Sequence, residues 1–232
     1  MELDVQVDFY EEFFKTLLVS RLKKYFPQKT NNVFDIFEDE RALLTAAYAA
    51  HGLPRRFFEI IHQAYQNLEE FTSSRPADDA KHYKIRVVDV NSAIDTIVTG
   101  NILSSSKFSK EDFAVFETIS AAIRRRNKKV ETEASTKDNY VPINFYFSCP
   151  RSKEDKIGNL IAKGVFHNQA RTRSLKHSVA GQGGRGLVVM IDLAVSMSEG
   201  TIPNKAKAFE YFRNDAKLSA KNGFEYCQTI DF

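Results

Sequence analysis

At 232 residues the chain has room for two small domains or one large one, so the division has to come from the residue pattern. Hydrophobic residues make up 43% and aromatics 12%, with 19 Phe and no Trp, which is ample for cores and excludes a disordered chain. The net charge of +3 is too mild to mark a nucleic-acid binder, so any such role has to rest on local clusters. Cys149 and Cys227 match no metal-ligand spacing and read as thiols of a reducing compartment. No apolar run approaches the roughly 18–20 residues of a membrane span. The acidic N-terminus lacks signal-peptide character. A cytoplasmic protein with no membrane partner is the expectation.

The first predicted helix runs from Asp8 to Lys24, with Phe9, Phe13, Leu17 and Leu18 as its core stripe. Tyr10, Phe14 and Leu22 widen the apolar surface past half the circumference, so it needs partners on more than one side. Val33 to Phe37 is a short apolar segment. Glu40 to Ala50 is an alanine-rich helix, and a third helix runs from Pro54 to Phe71 with Phe57, Ile60, Ile61, Ala64 and Leu68 at helical spacing. Gly52 and Pro54 are the stop and start signals between them. This start places Arg55 and Arg56 in the first turn, where positive charge is unfavourable against the helix dipole. Either both are solvated or paired with Glu59, or they await an anion from outside.

The run Leu43 to Phe57, with its alanine-rich helix, Gly52 turn and following arginine, resembles the lid helix and sensor-2 turn of AAA+ ATPases, and within them the origin-recognition-like branch. The resemblance implies that Arg55 reaches the γ-phosphate of a nucleotide, with Arg56 as substitute or helper. Thr72 to Lys81 has loop composition. Ile85 to Ile94 is similar to the segment that closes such lid domains, except that Arg86 stands where Thr would cap the helix and Val87-Val88 replace polar residues. A lid of four or five helices would then end near Gly100.

Ser104 to Lys110 has loop composition and places the domain boundary at 104/105. Ser109 is a good N-cap, with Glu111 and Asp112 in the first turn. The helix that follows carries Phe113, Phe116, Ile119 and Ile123 inward and is predicted to end in Arg124-Arg125-Arg126-Asn127-Lys128-Lys129. Cations are favourable at a helix C-terminus, which accounts for much of that cluster without a ligand. Glu131 to Asn139 reads as a polar connection. Val141 to Phe147 reads as a strand, and Pro150 with Ser152 opens a helix that Gly164 ends with a left-handed cap. Val165 begins a second strand, Thr172 to Gly186 is Gly-rich and turn-like, Leu187 to Ala194 is a third strand, and Ile202 to Asn222 is a closing helix.

Helix, strand, helix, strand, hairpin tip and strand is the order of a winged helix with its second helix short or missing. Phe145 to Pro150, Ile157 to Gly164 and Val165-Phe166-His167 are similar to the winged-helix tails that follow lid domains in origin-recognition-like ATPases. The hairpin from Gly164 to Gly186 carries Arg171, Arg173, Lys176 and Arg185 and no acidic residue, in a chain with 30. In a winged helix that tip lies along DNA, neutralising phosphates without reading sequence; the alternative is a solvated hairpin. The helix before it offers Lys153, Lys156, Asn159 and Lys163 outward, for phosphates or base edges.

No Gly-x-x-x-x-Gly-Lys-Ser/Thr phosphate loop occurs, so the chain is not expected to hydrolyse ATP or to bind a cofactor alone; ATP and Mg²⁺ enter only with a nucleotide-binding core. Val188 to Asp192 superficially resembles the Mg²⁺-binding strand of such ATPases but follows the lid, so a core strand is the expectation. The sequence therefore predicts a mainly α protein with a small β-sheet. Residues 1–104 form an AAA+ lid-like helical bundle and 105–232 a winged-helix-like domain with a C-terminal helix. The resemblance implies DNA and an AAA+ core domain or subunit as its partners. The alternatives are a free-standing winged-helix DNA-binding regulator that dimerises through its helices, and a protein-interaction module.

Overall fold

A computed structural model describes residues 8–27, 32–73, 84–134, 142–174, 185–216, 218, 227–230 and 232. The chain is mainly helical with one small mixed sheet, and it divides into two compact units, 1–97 and 98–232. Loop composition had put the division at 104/105. The difference lies in Val98–Ile102, a π-helical turn whose Val98 and Ile102 are buried, so the apolar pattern continues into the second unit before the serine-rich loop begins.

The first unit is a helical bundle of α1 (Tyr10–Tyr25), α2 (Glu40–Ala49), α3 (Pro54–Ser73) and α4 (Val87–Ile97). Every residue of α2 from Ala42 to Ala49 is buried. Its small side chains let neighbours close in on all sides, which is how a helix without a polar face behaves. The core stripe of α1 is Tyr10, Phe14, Leu18 and Leu22, one residue on from Phe9 and Phe13, and Phe9 is 58% exposed. Periodicity alone cannot choose a face on a helix apolar most of the way round; the Tyr10 hydroxyl chooses it, as shown below. A parallel bridge between Phe37 and Ile85 ties the segment before α2 to the one before α4. At the start of α4 the Asp89 carboxylate accepts from the Arg86 backbone N–H and from its guanidinium at 2.9–3.1 Å. One half of a capping box therefore survives where threonine would supply the other half.

In the second unit α5 (Lys110–Ala134) opens with Ser109 and Asp112 bonded to each other's backbone N–H. It does not end in the basic run. The helix continues through Ala134, so Arg124 to Lys129 lie in its middle and the dipole account of them fails. Of the polar residues read as a connection, Glu131 to Asn139, the first four continue the helix, with Glu131, Glu133 and Ala134 good helix formers; residues 135–139 lie outside the described residues.

The sheet has the order β2-β3-β1-β4, from β1 (Tyr146–Pro150), β2 (Phe166–Ser174), β3 (Arg185–Ile191) and β4 (Gln228–Thr229). β3 pairs antiparallel with β1 and β2, and β4 pairs parallel with β1. β1 lies inside the sheet and is buried on both faces from Tyr146 to Cys149, so it carries no alternating pattern. It begins later than the pattern placed it because the Asn144 amide bonds both the N–H and the C=O of Tyr146, occupying that stretch of backbone. Between β1 and β2, a 3₁₀ turn (Arg151–Lys153) leads into α6 (Glu154–Ala162), with Ile157 and Leu160 buried. Gly164 follows at φ +74°, the left-handed cap its position predicts.

β3 stops at Ile191, short of the predicted Ala194, because Asp192 caps a further helix, α7 (Leu193–Ser198). The predicted closing helix is broken. A 3₁₀ turn (Lys205–Lys207), α8 (Ala208–Glu210) and a π-helical stretch (Tyr211–Ala216) bury Phe209, Phe212 and Ala216, the predicted stripe. Most of its remainder, to Asn222, lies outside the described residues.

Candidate functional site

The turn between α2 and α3 is built by two consecutive left-handed residues, His51 at φ +49° and Gly52 at φ +79°. Glycine takes that conformation freely, whereas a side-chain-bearing residue there costs on the order of 1 kcal/mol. His51 is nevertheless held in it, with its N–H on the Tyr48 carbonyl and itself only 4% exposed. What holds the turn is Tyr10. Its hydroxyl donates to the Ala47 carbonyl and accepts from the Gly52 N–H, both at 2.8 Å. The ring stacks on Tyr48 and tilts against Phe14, and Phe14 meets Phe57 in the first turn of α3. One buried phenol thus fixes the end of α2, and an aromatic ladder from it fixes the start of α3.

Arg55 and Arg56 are the second and third residues of α3. The Arg55 side chain is 91% exposed and donates from Nε to Glu59 Oε1 at 2.8 Å, one turn on. An i,i+4 pair of this kind contributes only about 0.3–0.5 kcal/mol and yields to a stronger anion. Arg56 is half-buried. The geometry is a strained, pinned turn at a helix start that carries an almost fully exposed guanidinium. Tyr10 is the contributor that sequence reasoning missed. Its partners lie 37 and 42 residues away, and a tyrosine among phenylalanines on an apolar helix gave no local sign of them.

The predicted DNA-facing residues sort differently. Lys153 is engaged, its Nζ 2.5 Å from the Phe232 carbonyl oxygen and 5.4 Å from the centroid of that ring. Asn159 donates to Asp112, tying α6 to the start of α5. Together with Ser109 this holds the Asp112 carboxyl below its usual range, the backbone bond being the largest cause. Lys156 and Lys163 are exposed. Arg171 is exposed on β2, beside a bulge between Asn168 and Thr172 where Ala170 adopts φ +52° and its N–H bonds the Asn168 side chain at 2.7 Å. Arg173 stands opposite Gly186, and Arg185 opposite Ser174. Lys176, with the hairpin tip from 175 to 184, lies outside the described residues.

Asp192 is fully buried. One carboxylate oxygen accepts from the N–H groups of Ala194 and Val195, and the other sits 2.9 Å from His167 Nε2. It caps a helix and joins β2 to β3, as a core residue does. The two cysteines are free and buried, and burial pushes the Cys149 thiol up to about 12. No helix among the described residues is long and apolar enough to cross a membrane. No protein-family model, no curated protein and no solved structure matches this chain.

Proposed function

We propose that this chain is the lid and winged-helix portion of an origin-recognition-like AAA+ ATPase, sensing nucleotide through Arg55 and touching DNA through the hairpin between β2 and β3. One observation carries the reading. A left-handed, internally pinned turn between an alanine-rich buried helix and an amphipathic one holds a guanidinium almost wholly in solvent. Strain of this kind persists where the surroundings over-determine it, and such places gather at ligand clamps. An exposed arginine at a helix start, where the helix dipole also favours an anion, is suited to a phosphate that another domain presents. In support, the second unit runs helix, strand, helix, and antiparallel strand pair, the order of a winged helix with one helix fewer.

The nucleotide-binding core has to come from elsewhere, since no phosphate loop lies in these residues. Alone, the chain binds no cofactor and does not hydrolyse ATP. Joined to a core that carries a phosphate loop, it responds to ATP, and Arg55→Ala weakens that response while leaving the circular dichroism spectrum unchanged. Arg56→Ala has the smaller effect. A wild-type ATP response in the Arg55 variant sinks the assignment.

A second reading, the free-standing DNA-binding regulator that self-associates through its helices, draws on a different feature. An apolar groove of about 800 Å³ between α1 and α3 is lined by Leu22, Phe58 and Ile61 and rimmed by Tyr25, Phe26 and Tyr65, each about half exposed or more. Sedimentation of the full chain separates the two: a stable dimer, with DNA binding indifferent to nucleotide when the core is supplied, favours the regulator.

A further inference from the structure

The run Arg124-Arg125-Arg126-Asn127-Lys128-Lys129 has five cations in six residues, and the rest of the chain is net acidic. In the structure these residues stand in the middle of a 25-residue helix. The end of the helix dipole, felt within the last turn, does not reach them. Arg124, Arg125, Lys128 and Lys129 are exposed, while Asn127 faces inward and is fully buried. Along a helix the pairs 124/128 and 125/129 are neighbours, as are 125/128, and like charges at such spacings are mutually destabilising. Little offsets this. Lys129 reaches Glu133 at 3.7 Å, and Arg124 donates to the Glu199 carbonyl oxygen. Among the described residues Arg125 and Lys128 have no carboxylate partner. Burial lowers the pKa of Arg126, which donates a long bond, 3.3 Å, to Asn127.

We infer that this stripe of α5 is a phosphate-binding face for the backbone of duplex nucleic acid. It goes beyond the DNA contact proposed for the β2–β3 hairpin, since a different element carries it, and it stands whether or not that hairpin binds. Three observations select the partner. The stripe is rigid, because Asn127 on the opposite side of the helix bonds the carbonyls of Asn144 and Thr201 and the Asn144 N–H at 2.8–2.9 Å. From Arg124 to Lys129 the helix advances about 7.5 Å, close to two phosphate-to-phosphate steps of about 3.4 Å axial rise along a strand. The large exposed apolar residues identified among the described ones, Phe9, Tyr25, Phe26, Phe34, Tyr65 and Val88, all belong to the first unit. The stripe thus lacks the aromatic anchors of a protein interface and the apolar face of a membrane-bound helix.

The test uses the full chain and a fluorescent duplex of about 20 base pairs, titrated by anisotropy between about 50 and about 200 mM salt. The double variant Arg125→Gln/Lys128→Gln should bind roughly tenfold or more weakly at the lower salt, and its slope of log affinity against log salt should fall by about 1.8, two phosphate contacts' worth. Lys128→Arg should keep wild-type binding. The double variant should melt no lower than wild type, because it relieves repulsion. Arg171→Gln/Arg173→Gln reports on the hairpin separately: a loss there leaves the inference about α5 intact. An unchanged slope in the α5 variant overturns it. So does failure of the wild-type chain to bind duplex, or equal binding to poly-glutamate or to vesicles with anionic headgroups.

Discussion

Each unit holds a loop in place with one buried polar side chain, Tyr10 in the first and Asn127 in the second, but the two pins differ in what they support. Tyr10 spends its hydroxyl on a turn that is strained, and so keeps an arginine where the helix alone would disfavour it. Asn127 spends its amide on the backbone of Asn144 and Thr201, neither of which has a positive φ, and so keeps a repulsive stretch of helix seated. In both cases the polar group inside sets the position of a charge outside. The lesson is that unfavourable surface charge is tolerated where the buried face beneath it is over-determined.

The sharpest way to break the comparison is at Asn127. Asn127→Ala removes two donors and one acceptor and leaves the Asn144 N–H stranded, at a cost of about 3 kcal/mol to the second unit. Hydrogen exchange of the β1 and β3 amides should speed up while α2 and α3 exchange as before. Tyr10→Phe keeps the ring stack and loses both hydroxyl bonds, costing the first unit about 2 kcal/mol. Exchange at the Gly52 N–H is the local readout; if it stays protected, Tyr10 is not what fixes the turn. Gly164→Ala places a Cβ at φ +74° and should cost about 1–2 kcal/mol in thermal or urea unfolding.

The pH dependence of Cys149 sharpens the contrast between buried groups held by several short hydrogen bonds and a buried thiol with one long bond, 3.5 Å, to the Pro150 carbonyl. Burial is the main cause that lifts its thiol from the ordinary 9.0 to about 12. A raised folded-state pKa contributes stability that is complete below about 9 and is lost as pH rises towards about 12. Native chain should therefore resist thiol alkylation at pH 8 and become less stable than a Cys149→Ser control above pH 9. The smallest effect belongs to Arg55→Ala, whose exposed pair with Glu59 contributes about 0.5 kcal/mol or less to stability. A large drop in melting temperature there would mean that the arginine is structural.

Local chemistry explains which features the sequence disclosed. The start of α3 at Pro54, the cap at Gly164, the Ser109 start of α5 and the mixed helix-and-sheet class follow from residues within one or two turns of where they act. The exposed Arg55 was legible for the same reason. What escaped needed partners far along the chain. The face of α1 was set by a hydroxyl bond to Gly52, the start of β1 by Asn144, and the pairing of its outer side by a parallel strand some eighty positions later. The course of α5 escaped for another reason. A basic run looks like a helix end, and only its continuation to Ala134 strips that explanation away.

The strand order β2-β3-β1-β4 has a consequence for synthesis. β1 sits between β3 and β4, both made after it, and its parallel partner at Gln228–Thr229 is the last described strand to leave the ribosome. Pairing over so long a stretch of chain is slow to close. Until those residues emerge, one edge of an apolar strand is unpaired and open to neighbouring nascent chains. The first unit, a compact body built from residues 1–97, can be folded by then, and a ribosome stalled near residue 220 should carry a folded helical bundle together with a second unit still lacking its closing strand.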